Sequence, residues 1–180
     1  MNIDWIPSPY FNVIHKREIK AIVIHTAQCQ ETPNARKGIG AWFANLQRKI
    51  LKQKLSSAHY GVDASGVAQY VRDGHVSWHA GKVNDWTLGI ELAGSAYQNE
   101  AQWNDAYSLA VLQNAAQLVA KLCEEHCIPI VKLTDGEIRA GARGIFGHVD
   151  ANRALGVKGG NSDPGPHFNW DKFLRMCRGL

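Results

Sequence analysis

The sequence predicts an α/β fold, and three observations carry that reading. Two short apolar runs rich in β-branched residues, at 20–25 and 87–92, have the character of buried strands. A long segment at about 105–126 repeats Leu109, Leu112, Ala116, Val119 and Cys123 on one helical stripe. Strand-like and helix-like segments then alternate along the chain, which favours α/β over an all-α or all-β arrangement.

In chain order, residues 1–18 read as an irregular arm, because Pro7 and Pro9 interrupt regular structure. The run at 20–25 is a strand that ends on His25. Thr32-Pro33 supplies a cap and a first helical position, and Ala35, Ile39, Trp42, Phe43, Leu46 and Ile50 follow at helical spacing. Gly38 and Gly40 weaken that helix, each by up to ~1 kcal/mol against alanine. Segments 57–62 and 67–71 flank Asp63-Ala-Ser-Gly66 and read as a hairpin. Residues 87–92 form a strand broken by one acid, Glu91. Asn104 is placed to cap the long helix, and Pro129 follows its end. Ile130-Val131 and 144–148 are strand or strand-end candidates. Beyond Val149 the chain is loop-rich, with a short helix near 170–176.

One domain of ordinary size fits 180 residues, with no repeat and no low-complexity linker. Hydrophobic residues at 45% and charged residues at 20% argue against a largely disordered chain. No apolar run reaches the ~18 residues of a membrane span. The first residues lack a basic start and an apolar core, so the expectation is no secretory leader and synthesis in a cytoplasm. Twenty Lys and Arg against sixteen Asp and Glu give +4. That excess favours an anionic partner (wall, membrane surface or nucleic acid) without choosing among them. Four scattered cysteines do not suggest a disulfide scaffold.

Eight histidines raise the question of a metal, but there is no HExxH and no CxxC. His75 and His79 are four apart, yet their neighbours read as strand or turn. Cys123, His126 and Cys127 sit at a helix end and read as structural. His25 and His148 differ, since each closes an apolar strand, where a side chain is held rigidly at a cleft. Asp163 lies in Asp-Pro-Gly, a turn that fixes its carboxylate. By spacing alone two readings stand: an open zinc site with water in the fourth position, or two hydrogen-bonded core histidines and a turn aspartate. Glu91 likewise either points to solvent or faces the same cleft, where burial raises its pKa toward that of a general base.

Six stretches occur in the order of a known family: Ile22-Val-Ile-His-Thr26, Ser57-Ala-His-Tyr-Gly61, Trp78-His-Ala-Gly81, Leu88-Gly-Ile-Glu-Leu92, Gly147-His148 and Asp163-Pro-Gly-Pro-His-Phe168. The chain resembles the zinc-dependent N-acetylmuramoyl-L-alanine amidases shared by phage endolysins, bacterial recycling amidases and peptidoglycan-recognition proteins. The resemblance covers about residues 20–174. It implies a central mixed β-sheet packed by helices, with one zinc ion in a surface groove. It makes His25, His148 and Asp163 the zinc ligands and Glu91 the match to the family's catalytic glutamate. Trp78 and His79 match a segment lining the substrate cleft, and His59 matches a histidine that either supports the site or touches substrate.

Two departures stand out. Many relatives carry a lysine two residues before the third ligand, where this chain has Asn161, a weaker donor to a developing oxyanion. Lys158 is the cation that could reach in from the same loop. Some phage relatives have a tyrosine where this chain has Ala58, which leaves more of the proton work to Glu91. The stretch 150–162 is expected to be a cleft-side loop.

The resemblance implies a peptidoglycan amidase, best matched by a phage-type endolysin made in the host cytoplasm and acting on the wall, with no stable membrane insertion and a monomeric state. The alternatives are a cytosolic recycling amidase for anhydro-muropeptides and a non-catalytic peptidoglycan-binding module. A nucleic-acid binder is disfavoured, because no basic cluster interleaves with aromatics. The run 48–54 reads as the wet face of a helix.

Overall fold

The computed structural model describes residues 1–180. Fourteen regular elements occur in the order β1 (Ile3–Trp5), β2 (Phe11–Val13), β3 (Ala21–Thr26), α1 (Ala35–Ala44), α2 (Gln47–Ile50), β4 (Tyr60–Asp63), β5 (Gly66–Gln69), β6 (His75–Ser77), β7 (Thr87–Leu92), α3 (Ala106–Glu125), α4 (Asp135–Arg139), β8 (Gly144–Gly147), α5 (His148–Ala154) and α6 (Trp170–Cys177). Six strands form one sheet in the order β1-β5-β4-β7-β3-β8. The sheet is mixed: β4 and β5 are antiparallel, as their hairpin requires, and the other neighbours run parallel.

Side-chain alternation sorts the two faces. Ile22, Ile24, Leu88, Ile90, Leu92 and Ile145 enter the main core beneath α3 and α6. Ala21, Val23 and Phe146 face the other way, into a smaller core beside α4 and α5. A third cluster seats α1 through Ile39 and Phe43. Strands buried on both faces read as continuous apolar runs, which is why β3 and β7 are legible in the sequence.

Four expectations are corrected. The arm 1–18 is not irregular throughout: β1 adds to the sheet edge beside β5, and β2 pairs with β6. Pro7 and Pro9 fall between these two strands, where they break no ladder. The helix from 35 to 50 is interrupted at Asn45-Leu46, and only α2 continues it. The long helix is capped by Asp105, which accepts from the Ser108 amide at 2.8 Å, and not by Asn104. The first half of 150–162 is helical, as part of α5.

Candidate active site

Parallel sheets place ligands outside the carboxyl ends of their strands, and the site lies there. In β3 and β7 the residues opposite the main core are Ala21, Val23 and His25, and Thr87, Gly89 and Glu91. His25 and Glu91 are register partners at the strand ends. His148 follows β8 and opens α5. Asp163 enters from the following loop, anchored by a hydrogen bond from the Val149 amide to its carbonyl at 2.9 Å. The turn after it needs glycine: Gly165 has φ +104°, and a Cβ there would lie 2.1 Å from the Ala96 carbonyl oxygen.

These residues share a groove of about 500 Å³ with Gln28, Ser57, Trp78, His79, Tyr97 and Asn161. Nδ1 of His25 lies 2.9 Å from Oδ2 of Asp163, and Nδ1 of His148 lies 3.3 Å from Oδ1. One ligand atom from each of the three residues falls within 4.8 Å of the others.

The hydrogen-bond pattern assigns the protons. The Thr87 hydroxyl donates to the Val83 carbonyl at 2.8 Å. It therefore accepts from Nε2–H of His79 at 3.2 Å. His79 Nδ1 then accepts from Nε2–H of His25 at 3.0 Å. A neutral His25 is left with a bare Nδ1 lone pair facing a carboxylate. Two acceptors 2.9 Å apart with no proton between them suit a cation. Two imidazoles and one carboxylate are also a donor set that zinc accepts, so the residues fit the metal.

Charge follows the same geometry. Burial works to raise the Asp163 pKa, but the pull of a proton held on the facing His148 or His25 imidazole outweighs it and sets the carboxyl well below the usual range. Burial lowers the His25 pKa against the pull of Asp163. Glu91 is pushed up to about 8, first by burial and then by the negative charge of Asp163. A half-buried carboxyl that holds a proton near neutrality is equipped for acid–base work.

The structure brings His25, Glu91, His148, Asp163, Trp78, His79 and Asn161 to one groove. Asn161 is exposed, with its amide nitrogen 3.2 Å from Nδ1 of His148. Lys158 lines an adjoining part of the cleft. Two histidines stand behind the groove wall. His59 is fully buried and does not line this groove, which fits the supporting one of its two expected roles. Its Nδ1 accepts from the Gly89 amide at 3.0 Å, its Nε2–H faces the His75 carbonyl at 3.0 Å, and its ring meets that of His79 edge-on. His79 borders the groove, and both its nitrogens are committed to Thr87 and His25, so it supports His25.

Sequence reasoning missed Thr87 and Arg17. The Arg17 guanidinium donates to the carbonyls of Asp73, His75, Asn84, Asp85 and Thr87 and lies 2.9 Å from Nε2 of His59. It ties β6 and β7 together behind the histidines. No sequence pattern marks it, because a lone arginine in a segment without periodicity carries no signal.

A groove at the strand ends of an α/β sheet, holding two imidazoles, a charged carboxylate and a second carboxyl of raised pKa, has the make-up of a hydrolase site, and three of its side chains could hold a cation. Comparison with known proteins agrees. The family model described as N-acetylmuramoyl-L-alanine amidase matches residues 15–166. The chain is 25% identical to N-acetylmuramoyl-L-alanine amidase A of Achromobacter lyticus, over 97% of this chain and 93% of that protein. It is 28% identical to 1,6-anhydro-N-acetylmuramyl-L-alanine amidase AmpD of Haemophilus influenzae, over 96% and 91%. A solved mutant endolysin from Bacillus subtilis shares the fold, with a TM-score of 0.64 at 19% identity over 98% of this chain and 99% of that one. The chain belongs to the N-acetylmuramoyl-L-alanine amidase family.

Proposed function

We propose that the protein hydrolyses the amide joining the lactyl group of N-acetylmuramic acid to L-alanine in peptidoglycan, with one zinc ion per chain held by His25, His148 and Asp163. The observation that carries this is the convergence of those three ligand atoms within 4.8 Å, in the groove that also holds Glu91. When bound there, zinc supplies Lewis acidity and lowers the pKa of water.

The chain's own residues do the rest. Glu91, deprotonated, takes a proton from the attacking water as oxygen adds to the lactyl carbonyl carbon. The Asn161 amide donates to the developing oxyanion. Glu91 then returns its proton to the nitrogen as the C–N bond breaks, which releases the free amino end of L-alanine and leaves a lactyl carboxylate. The relay through His79 and Thr87 keeps the His25 proton on Nε2 throughout. Trp78 borders the groove as an apolar contact for substrate.

A wall-degrading, endolysin-like role is the reading we favour, with a monomer made in a host cytoplasm and then acting on the wall. The open groove and the charge of +4 support it, since they suit a large anionic polymer. The 28% identity to AmpD favours a second reading, recycling of anhydro-muropeptides. The test is to supply zinc-loaded protein with intact sacculi and, separately, with soluble anhydro-muropeptide, and to quantify new L-alanine amino ends. Cleavage of sacculi is expected. Cleavage of the soluble substrate alone assigns recycling, and cleavage of neither removes the amidase reading. Glu91→Ala is expected to keep its zinc and lose about 10²–10⁴-fold in rate. Near-full activity in that variant excludes Glu91 as the base.

A further inference from the structure

The run 48–54 does not form the wet face of a helix. Arg48, its first cation, is the buried residue, only 4% exposed, while Ile50 and Leu51 are 78% and 65% exposed. With Trp42 at 52% and Leu46 at 62%, four large apolar side chains stand in water within ten residues. An ordinary surface helix turns its apolar side inward and its charges outward, and this segment does the reverse.

The inversion is built in. The Arg48 guanidinium sits 4.4 Å above the Trp42 ring and donates to the Trp42 carbonyl at 3.5 Å, the Lys54 carbonyl at 2.6 Å and Ser56 Oγ at 3.2 Å. One buried arginine thus closes the loop on itself and leaves the apolar residues outside. In the same stretch Lys49, Lys52 and Lys54 are exposed, as is Lys37 on α1, and none forms an ion pair. No Asp or Glu occurs between Glu31 and Asp63.

We infer that residues 42–54 form a peripheral docking surface for an anionic phospholipid bilayer, with Leu46, Ile50 and Leu51 entering the interface and the lysines meeting the headgroups. Exposed apolar side chains interspersed with exposed lysines, without acids, match the two attractions such a surface offers. A wall polyanion would use the lysines and leave the apolar residues idle. A second copy of the chain would bring like-charged rims together. The surface lies at the rim of the groove, where Trp42 and Glu91 border one cavity. The inference is independent of the reaction proposed above.

The test is cosedimentation of the full chain with vesicles of phosphatidylcholine alone or mixed with phosphatidylglycerol. Binding to the mixed vesicles, weakened by salt, is expected. Lys49→Gln with Lys52→Asn should lower it about fivefold per lysine removed. Leu46→Ser with Ile50→Ser and Leu51→Ser should reduce it to the phosphatidylcholine background, with circular dichroism and Tm unchanged. Should the triple variant not fold, Ile50→Ser alone carries the test. Three results overturn the inference: equal binding to both vesicle types, full binding by the serine variant, or a wild-type dimer in sedimentation velocity that the serine variant dissolves.

Discussion

Thr87 is the least conspicuous member of the candidate site, yet it sets the protonation of His25, two hydrogen bonds away. Its hydroxyl must donate to Val83, so His79 must donate to it, and His25 to His79. Thr87→Val removes the acceptor and lets His79 carry its proton on Nδ1, against His25. The expected result is a loss of about 10–100-fold in zinc affinity, measured by chelator competition, with Thr87→Ser close to wild type. Equal affinity in Thr87→Val would remove the relay. Glu91 makes a second prediction. Its folded pKa of about 8 lies above the ordinary 4.5, so the folded state binds the extra proton. Metal-free stability therefore falls as pH rises from 4.5 to about 8. Glu91→Gln has no such slope, so its Tm advantage over wild type should widen across that window and be absent below it. Parallel melting curves in chelator would refute this. At this scale the sequence was informative where a residue closes an apolar run, as His25 and His148 do. It was silent where a role depends on partners far along the chain, as with Thr87, Arg17 and the burial of His59.

Elements decide where those residues can stand. Gly89 lies in the middle of β7, and a Cβ there would come within 2.6 Å of the His79 ring. The strand thus leaves the space that His79 needs to reach His25. Gly89→Ala is expected to displace His79 and to weaken zinc binding along with activity, while the opposite strand face, Leu88 and Ile90, keeps its packing. A variant that melts well below wild type but binds zinc normally would show that the glycine serves packing alone. The strands β3, β7 and β8 were readable because burial on both faces writes itself as apolar runs. The strands β1 and β2 were not, because each has three partly exposed residues between prolines or polar neighbours and is fixed by pairing with distant β5 and β6. The break after α1 had the same cause. The spacing 42, 46, 50 continues helically, but those residues are exposed, so periodicity was not reporting burial.

For the molecule as a whole, the site joins segments far apart along the chain. His25 on a central strand, His148 at the start of α5 and Asp163 in the loop before α6 converge across 138 residues of chain. With the His25 proton on Nε2, a lone pair and a carboxylate face each other at 2.9 Å, an apposition that a bound cation would relieve. A cation that binds the folded chain alone stabilises it by mass action, about 2.7 kcal/mol at one hundred times Kd. For a chain of this length that is roughly 5–10 °C in Tm, taking about 2–4 °C per kcal/mol. Chelation should therefore lower Tm by that amount, and zinc, but not magnesium, should restore it, because nitrogen ligands suit the softer ion. His25→Ala should melt at one temperature with or without chelator. This separates the metal's structural contribution from its part in catalysis, since melting requires no substrate. A wild-type Tm indifferent to both chelator and zinc would mean that the three side chains hold each other through shared protons, and that the groove is a polar core open to solvent.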